Sequence, residues 1–157
     1  MTLRLTGGTF SGRRLKSPQV QTTRPTQEKV RKALFDAYQF KIHGLTMLEL
    51  FAGSGAVGFE ALSRGASFVT FVEKNSSASK CIKDNAEELE VSHLCEIIRS
   101  PVEVALERLK KRYDIIFVDP PYEYDVEKLL PLLLSPKLLH EKGDVILETD
   151  REIQGDI

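Results

Sequence analysis

The chain has 157 residues, a length expected for one domain, and its 41% hydrophobic and 29% charged residues are ordinary for a globular protein. No apolar run approaches the ~20 residues that span a membrane, and the N-terminus lacks the apolar segment of a signal peptide, so we expect a cytoplasmic protein. Cys81 and Cys95 have neither metal-binding nor redox spacing, which predicts free thiols and no metal site.

The net charge of −1 hides an asymmetry along the chain. Residues 1–43 hold nine basic and two acidic residues, whereas residues 44–157 hold 13 basic and 21 acidic ones. This basic head indicates a polyanionic partner, and a nucleic acid is the interpretation that we favour. A solvated basic face without a partner is the alternative.

The predicted elements begin with a β-hairpin of residues 3–6 and 13–17, whose turn is rich in glycine. A helix capped by Thr26 follows and runs to about residue 38 or 40. Short apolar strands then alternate with helices, which is typical of a parallel sheet covered on both faces. The predicted strands are 47–50, 68–72, 96–98, 115–118 and 145–147, and the predicted helices lie near 56–64, 76–90, 101–112 and 126–139.

Two details of these helices are predicted from single residues. Pro101 after Ser100 fits a capped helix with proline at its first position. The cationic run Lys110–Lys111–Arg112 would close that helix, where positive charge complements the helix dipole.

A glycine turn follows the first long strand, in the sequence "MLELFAGSGAVGFEAL". Gly53 and Gly55 permit a tight turn, and the helix behind them would present free N–H groups to an anion. Twenty residues after Gly53, at the end of the next strand, Glu73 is placed to accept hydrogen bonds from ribose hydroxyls. The combination predicts a nucleoside cofactor, although two packing glycines and an exposed glutamate remain the alternative.

The fourth long strand ends in "DPPY", Asp119 to Tyr122. The two prolines stiffen the chain and donate no hydrogen bond, so the segment is a rigid group of acceptors beside an aromatic ring. Such a group suits the exocyclic amine of a nucleobase, with Asp119 and the Pro120 carbonyl accepting its hydrogens and Tyr122 stacking on the ring. The alternative is that the prolines only end a strand and Asp119 caps the next helix.

A nucleoside cofactor beside a group that binds an amine predicts methyl transfer from S-adenosylmethionine to a flipped or unpaired base. The chain resembles the bacterial RsmD-like family of class I S-adenosylmethionine-dependent methyltransferases. The resemblance runs over residues 4 to about 148, through "RLTGGTFSGRRLKSP", "TRPTQEKVRKALFD", "MLELFAGSGAVGFEALSRGA", "FVEKN" and "DIIFVDPPY". It implies a doubly wound Rossmann-like α/β sheet, mostly parallel, and methylation of the 2-amino group of one guanine in small-subunit (16S) ribosomal RNA.

The resemblance also assigns residues to roles within one methyltransferase domain, which comprises an RNA-binding head (1–43) and a cofactor-binding, catalytic core (44–157). The implied cofactor-binding residues are Glu49, Phe51, Ala52, Gly53, Ser54, Gly55, Glu73, Lys74 and Ser100. The implied catalytic residues are Asp119, Pro120, Pro121 and Tyr122. The implied RNA-binding residues are Arg4, Arg13, Arg14, Lys16, Arg24 and Thr26.

Two features depart from the family pattern. Ser100 stands where many relatives have an aspartate that binds the adenine amine. We also expect the last two strands of the usual seven to be missing, which would leave a sheet edge exposed. An adenine-amine methyltransferase, a nicotinamide-dependent dehydrogenase and a non-catalytic RNA-binding relic of the fold are the alternatives.

Overall fold

The computed structural model of the chain describes residues 3–18 and 25–148, without the side chains of residues 25–27. It begins with an antiparallel hairpin and one helix, and then strands and helices alternate. In chain order the elements are β1 (Leu3–Arg4), β2 (Arg14–Leu15), α1 (Pro25–Ala37), β3 (Thr46–Leu50), α2 (Ala56–Ser63), β4 (Phe68–Glu73), α3 (Ser76–Glu88), β5 (Cys95–Arg99), α4 (Val102–Arg108), β6 (Tyr113–Val118), α5 (Leu130–Leu133) and β7 (Leu139–Leu147).

The five longer strands form one parallel sheet in the order β5-β4-β3-β6-β7. The chain builds outward from β3 through β4 to β5 and then returns to place β6 on the other side of β3. The direction of winding therefore reverses between β3 and β6, and open α/β sheets bind ligands at such a point. The predicted doubly wound sheet, its five strands and the N-terminal hairpin are confirmed.

Helices cover both faces of the sheet, which explains why the strands are nearly continuous apolar runs. On one face, Met47 and Phe71 pack with α1, α2, α3 and the hairpin. On the other face, Leu48 and Ile116 pack with α4, α5 and the turn before α5. The carboxyl ends of β3 and β6 stay open between these two layers.

Helix α4 is shorter than predicted. Pro101 is its N-cap and not its first helical residue, and the Ser100 hydroxyl donates to the Pro101 carbonyl, 2.8 Å away, instead of capping the helix. The helix ends at Arg108 because Leu109 is extended, with φ −67° and ψ 132°, and packs on the core. The run Lys110–Arg112 therefore lies beyond the helix, and Lys111 Nζ lies 4.5 Å from the centre of the Phe68 ring.

The predicted helix 126–139 is wrong. A 3₁₀ helix, Val126–Leu129, and the single turn of α5 replace it, and β7 already begins at Leu139. Pro131 is tolerated in the first turn of α5, but Pro136 lacks an N–H and disfavours a helical conformation for the residue before it. The apolar spacing that suggested a helix still reflects burial, since Val126, Leu129 and Leu133 are all in the core.

A buried carboxylate fastens the hairpin to the body of the fold. Glu60 of α2 is fully buried and accepts hydrogen bonds from the N–H groups of Thr6 and Gly7, both at 3.0 Å, and from Arg31 Nε at 3.0 Å and Arg64 Nε at 2.9 Å. Burial alone would raise the pKa of Glu60, but the hydrogen bonds from Arg64, Thr6 and Arg31 outweigh it and hold that pKa below its ordinary value. Removing one partner of a buried pair typically costs about 3–5 kcal/mol, so Glu60 anchors the hairpin to α2 at Thr6 and Gly7.

Three further expectations concern membrane-spanning helices, the two cysteines and metal ions. No helix in the described part of the chain has both the length and the apolar character needed to cross a membrane. Cys81 and Cys95 are free thiols, as predicted. Within residues 3–18 and 25–148, no three or more His, Cys, Asp or Glu side chains are grouped to hold a metal ion.

Candidate active site

A cleft of about 670 Å³ opens at the carboxyl ends of β3, β4 and β6. Its volume lies in the range of about 300–1,000 Å³ that is usual for small-molecule sites. The structure brings twelve of the predicted cofactor and catalytic residues to its wall: Glu49, Phe51, Ala52, Gly53, Ser54, Glu73, Lys74, Ser100, Asp119, Pro120, Pro121 and Tyr122. Gly55 is buried behind them, as the N-cap of α2.

The glycine loop has a backbone conformation that few residue types can adopt. Gly53 has φ 60° and Gly55 has φ 81°. A Cβ on Gly55 would lie 2.7 Å from Phe59 Cε2, whereas a Cβ on Gly53 would meet nothing within 4 Å, since Gly53 faces the open cleft. Phe51 also has a positive φ, 55°, and such strain in a non-glycine residue is often found at functional sites.

Glu73, the last residue of β4, is held in place by two backbone groups. Its Oε1 accepts from the N–H of Gly53 at 2.8 Å, and its Oε2 accepts from the N–H of Asn75 at 2.9 Å. A carboxylate oxygen can accept more than one hydrogen bond, so both oxygens keep acceptor capacity toward the cleft. This geometry fits the predicted contact with a pair of ribose hydroxyls.

Glu49 occupies a buried position beneath the glycine loop. It accepts from the N–H of Gly58 at 2.8 Å, a first-turn group of α2 that the sequence predicts to face an anion. Burial and the nearby charge of Asp119 raise the pKa of Glu49 to about 8, against the hydrogen bonds from the N–H groups of Gly58 and Val57. A cationic ligand in the cleft would favour the ionised form of Glu49 and so lower this pKa.

The "DPPY" segment leaves the sheet directly after β6. The Val118 carbonyl accepts from the Glu148 N–H at 2.9 Å, and the Pro121 carbonyl accepts from the Tyr124 N–H at 3.0 Å. Both ends of the segment are therefore fixed, while Asp119 remains exposed at the cleft. The Tyr122 side chain is 69% exposed, so its ring face is accessible to a planar group.

A small aromatic and ionic cluster borders the segment. The rings of Phe51 and Tyr124 meet edge to face with their centres 4.9 Å apart, and the Tyr124 hydroxyl donates to Glu103. Lys128 Nζ lies 3.6 Å from Glu103 and 4.7 Å from the centre of the Tyr124 ring. This cluster ties the glycine loop, the start of α4 and the chain after Tyr122 together at one side of the cleft.

Ser100 and Lys74 lie beside Glu73 at the ends of β5 and β4. The Ser100 N–H donates to the Glu73 carbonyl at 3.2 Å, and its hydroxyl donates to the Pro101 carbonyl. The hydroxyl oxygen of Ser100 retains acceptor capacity, so it can receive a hydrogen bond from an amine in the cleft. Lys74 is exposed on the same wall.

Four of the predicted RNA-binding residues, Arg4, Arg13, Arg14 and Lys16, are exposed on the hairpin. Arg13 donates to the Glu88 carbonyl at 3.2 Å, and Lys16 Nζ lies 3.6 Å from Asp84. Arg24 lies outside the described residues, as does the side chain of Thr26. Because α1 begins at Pro25, Thr26 lies in the first turn of this helix and does not precede it as its cap.

Sequence reasoning missed two groups of residues at the cleft. Val30 and Leu34 of α1, which are spaced like core residues, line the cleft together with Leu3 and Pro18. Glu103 also lines it, and its position in the first turn of α4, next to Ser100, was the available signal.

Comparisons with known proteins agree with this architecture. The family model described as Conserved hypothetical protein 95 matches residues 3–156. The chain is 37% identical over 156 residues to YlbH of Bacillus subtilis (strain 168), covering 97% of this chain and 85% of that protein. It is 32% identical over 151 residues to Ribosomal RNA small subunit methyltransferase D of Escherichia coli (strain K12), covering 96% and 76%.

Among solved structures, yhhF of Escherichia coli superimposes with a TM-score of 0.88 at 31% identity, covering 98% of this chain and 85% of that one. The family match over nearly the whole chain, the identity of these relatives and the shared fold agree with the motifs noted in the sequence. The chain belongs to the Conserved hypothetical protein 95 family, the family of the ribosomal RNA small subunit methyltransferase D proteins.

Proposed function

We propose that the chain transfers a methyl group from S-adenosylmethionine to the 2-amino group of a guanine in 16S ribosomal RNA of the small subunit. The names of its relatives support ribosomal RNA methylation, and the "DPPY" segment supports an exocyclic amine as the acceptor. The observation that carries the proposal is one shared cleft, which Asp119 and Tyr122 line together with the glycine loop and Glu73.

The wall of the cleft fits S-adenosylmethionine, which supplies an activated methyl group when bound. Glu73 would accept from the two ribose hydroxyls, since two backbone N–H groups already orient its carboxylate. Gly53 leaves open space for close approach of a ligand to the backbone. The negative charge of Asp119 suits a cationic methyl donor, and such a donor would in turn favour the ionised form of Glu49.

In the same cleft, Asp119 and the Pro120 carbonyl would accept hydrogen bonds from the guanine amine. Their pull on the N–H hydrogens returns lone-pair character to a nitrogen whose electrons are otherwise conjugated with the ring. Holding that nitrogen in line with the methyl group contributes a proximity effect of several kcal/mol. Tyr122 would stack on the flipped base, worth about 1–3 kcal/mol.

The exposed cations of the hairpin would bind phosphates and so orient the RNA without reading its sequence. We assign residues 1–43 to this role and residues 44–157 to cofactor binding and catalysis, within a single methyltransferase domain. Arg24 and Thr26 belong to the same proposed RNA-binding set.

The test is to incubate the protein with S-adenosylmethionine labelled in its methyl group and, in parallel, with naked 16S RNA or with small subunits that lack the modification. Digestion and mass spectrometry of the labelled nucleoside then identify the methylated atom. We expect a single N2-methylguanosine. Label on an adenine amine would replace guanine by adenine as the substrate, and no label on either substrate would contradict the proposal.

A further inference from the structure

Asn85 is a buried polar residue on the apolar side of α3. It is 2% exposed and lies next to Ala86 and one turn from Ile82 and Leu89, which are all in the core. A buried amide is costly unless its hydrogen bonds are satisfied, so its partners indicate its role.

The side chain of Asn85 joins two elements that are otherwise distant in the sequence. Its Oδ1 accepts from the N–H of Lys16 at 2.8 Å, and its Nδ2 donates to the Lys16 carbonyl at 3.1 Å. The same Nδ2 donates to the Ser54 carbonyl at 3.2 Å. One amide therefore holds the backbone that follows β2 of the basic hairpin and also the centre of the glycine loop.

The orientation of this amide is fixed by its partners. Two carbonyl oxygens face Nδ2 and one N–H faces Oδ1, so a flipped amide would place its oxygen against two acceptors. Neither an aliphatic residue nor an aspartate can satisfy this arrangement. The contact is specific to asparagine, and its three partners are all backbone groups.

We propose that Asn85 is a positioning residue that couples RNA binding at the hairpin to cofactor binding at the glycine loop. RNA bound to the hairpin would restrict the motion of Lys16, and through Asn85 it would restrict the carbonyl of Ser54. A loop that is already ordered loses less entropy when the cofactor binds, so each ligand strengthens the binding of the other. This inference rests on the proposed function, because it takes RNA and S-adenosylmethionine as the two ligands.

The experiment measures by calorimetry how tightly the protein binds S-adenosylhomocysteine, a non-reacting probe, with and without saturating 16S RNA. The ratio of the two affinities reports the coupling. In the parent protein we expect RNA to tighten binding of the probe about fivefold or more. In Asn85→Asp, which keeps the acceptor for the Lys16 N–H but loses both donated bonds, this ratio should fall to near one. Asp84→Ala, which removes an ion pair with the side chain of the same Lys16, is the matched control and should keep the parent ratio.

A purely structural role would lower the melting temperature and both affinities of Asn85→Asp while leaving the ratio unchanged. An unchanged ratio in Asn85→Asp, or a ratio of one in the parent, would overturn the coupling while leaving the proposed function intact. Absence of RNA or probe binding in the parent would overturn both. As a measurement that needs no variant, RNA alone should slow hydrogen exchange in residues 53–58 of the parent, and unchanged exchange there would also overturn the coupling.

Discussion

Glu73 offers the sharpest test of the cofactor side of the cleft. Its two oxygens are oriented by the N–H groups of Gly53 and Asn75, at 2.8 and 2.9 Å, and each oxygen keeps a lone pair for a ribose hydroxyl. Glu73→Ala removes those acceptors and also frees one anchor of the glycine loop. The residue is only half-buried, so the change should affect binding more than folding.

The expected loss of cofactor affinity follows from the strength of a hydrogen bond to a charged group. A hydrogen bond to a charged group contributes about 1.5–3 kcal/mol, and 1.4 kcal/mol corresponds to a factor of ten in affinity. Loss of the ribose contacts should therefore weaken cofactor binding by about tenfold to a hundredfold. The two bonds share one side chain, so their contributions should not simply add.

Calorimetric titration of S-adenosylhomocysteine into the parent, Glu73→Ala and Glu73→Gln checks this expectation. The glutamine keeps one acceptor oxygen without the charge, so it should fall between the other two. Glu87→Ala, which alters an exposed glutamate on α3, is the matched control and should bind like the parent. A Glu73→Ala protein that melts like the parent and binds the probe within threefold of it would remove Glu73 from the site.

The remaining predictions concern the hairpin, the ring and the buried acid. Replacing Arg13, Arg14 and Lys16 by glutamine should lower the slope of log affinity for RNA against log salt by about two units, with cofactor affinity unchanged; an unaltered slope would contradict their phosphate contacts. Tyr122→Ala should raise the KM for RNA while Tyr122→Phe stays active, and equal activity of both would exclude stacking. Glu49 has a folded-state pKa of about 8 against an ordinary 4.5, so it stabilises the fold fully below pH 4.5 and loses that contribution as pH rises through 8. In thermal melts the parent should therefore lose about 3–4 kcal/mol relative to Glu49→Gln between pH 5 and pH 8, and parallel pH profiles would refute the shifted pKa.

Local pattern was enough to predict the main elements of the fold. The apolar runs of β3, β4 and β6 can only be buried between two helical layers, and Gly53, Gly55 and "DPPY" stand where those strands end. The position of the cleft followed because the carboxyl ends of parallel strands meet at one edge of a sheet.

Polar contacts between residues far apart in the chain could not be predicted from local sequence patterns. Glu60 resembles an ordinary charged residue of a helix, yet it is buried because Thr6, Gly7 and Arg31, 29 to 54 positions away in the chain, supply its hydrogen bonds. Asn85 carried a detectable signal, since it is a polar residue within the apolar stripe of α3, but its partners were not predictable. Apolar spacing predicts a helix over 126–139, but Pro136 disfavours a helix there, and a 3₁₀ helix, the turn of α5 and the start of β7 occupy the segment.

The central proposal is that Asp119 contacts the attacking nitrogen of the base. Asp119 should accept a hydrogen bond that strengthens as the nitrogen attacks the methyl group, so its removal should slow the chemical step more than it weakens binding. Asp119 is exposed, and the segment around it is fixed by backbone bonds at Val118 and Pro121, so Asp119→Ala should still fold. Asp119→Ala should keep the parent's affinity for RNA, because the proposed phosphate contacts lie on the hairpin.

The most direct measurement is single-turnover methyl transfer to 16S RNA by folded Asp119→Ala, with saturating cofactor and enzyme in excess over RNA. We expect the rate to fall about a hundredfold or more, as for other positioned polar groups that act in a transition state, while RNA affinity stays within a few fold of the parent. Methyl transfer by the folded variant at the parent rate would contradict the account.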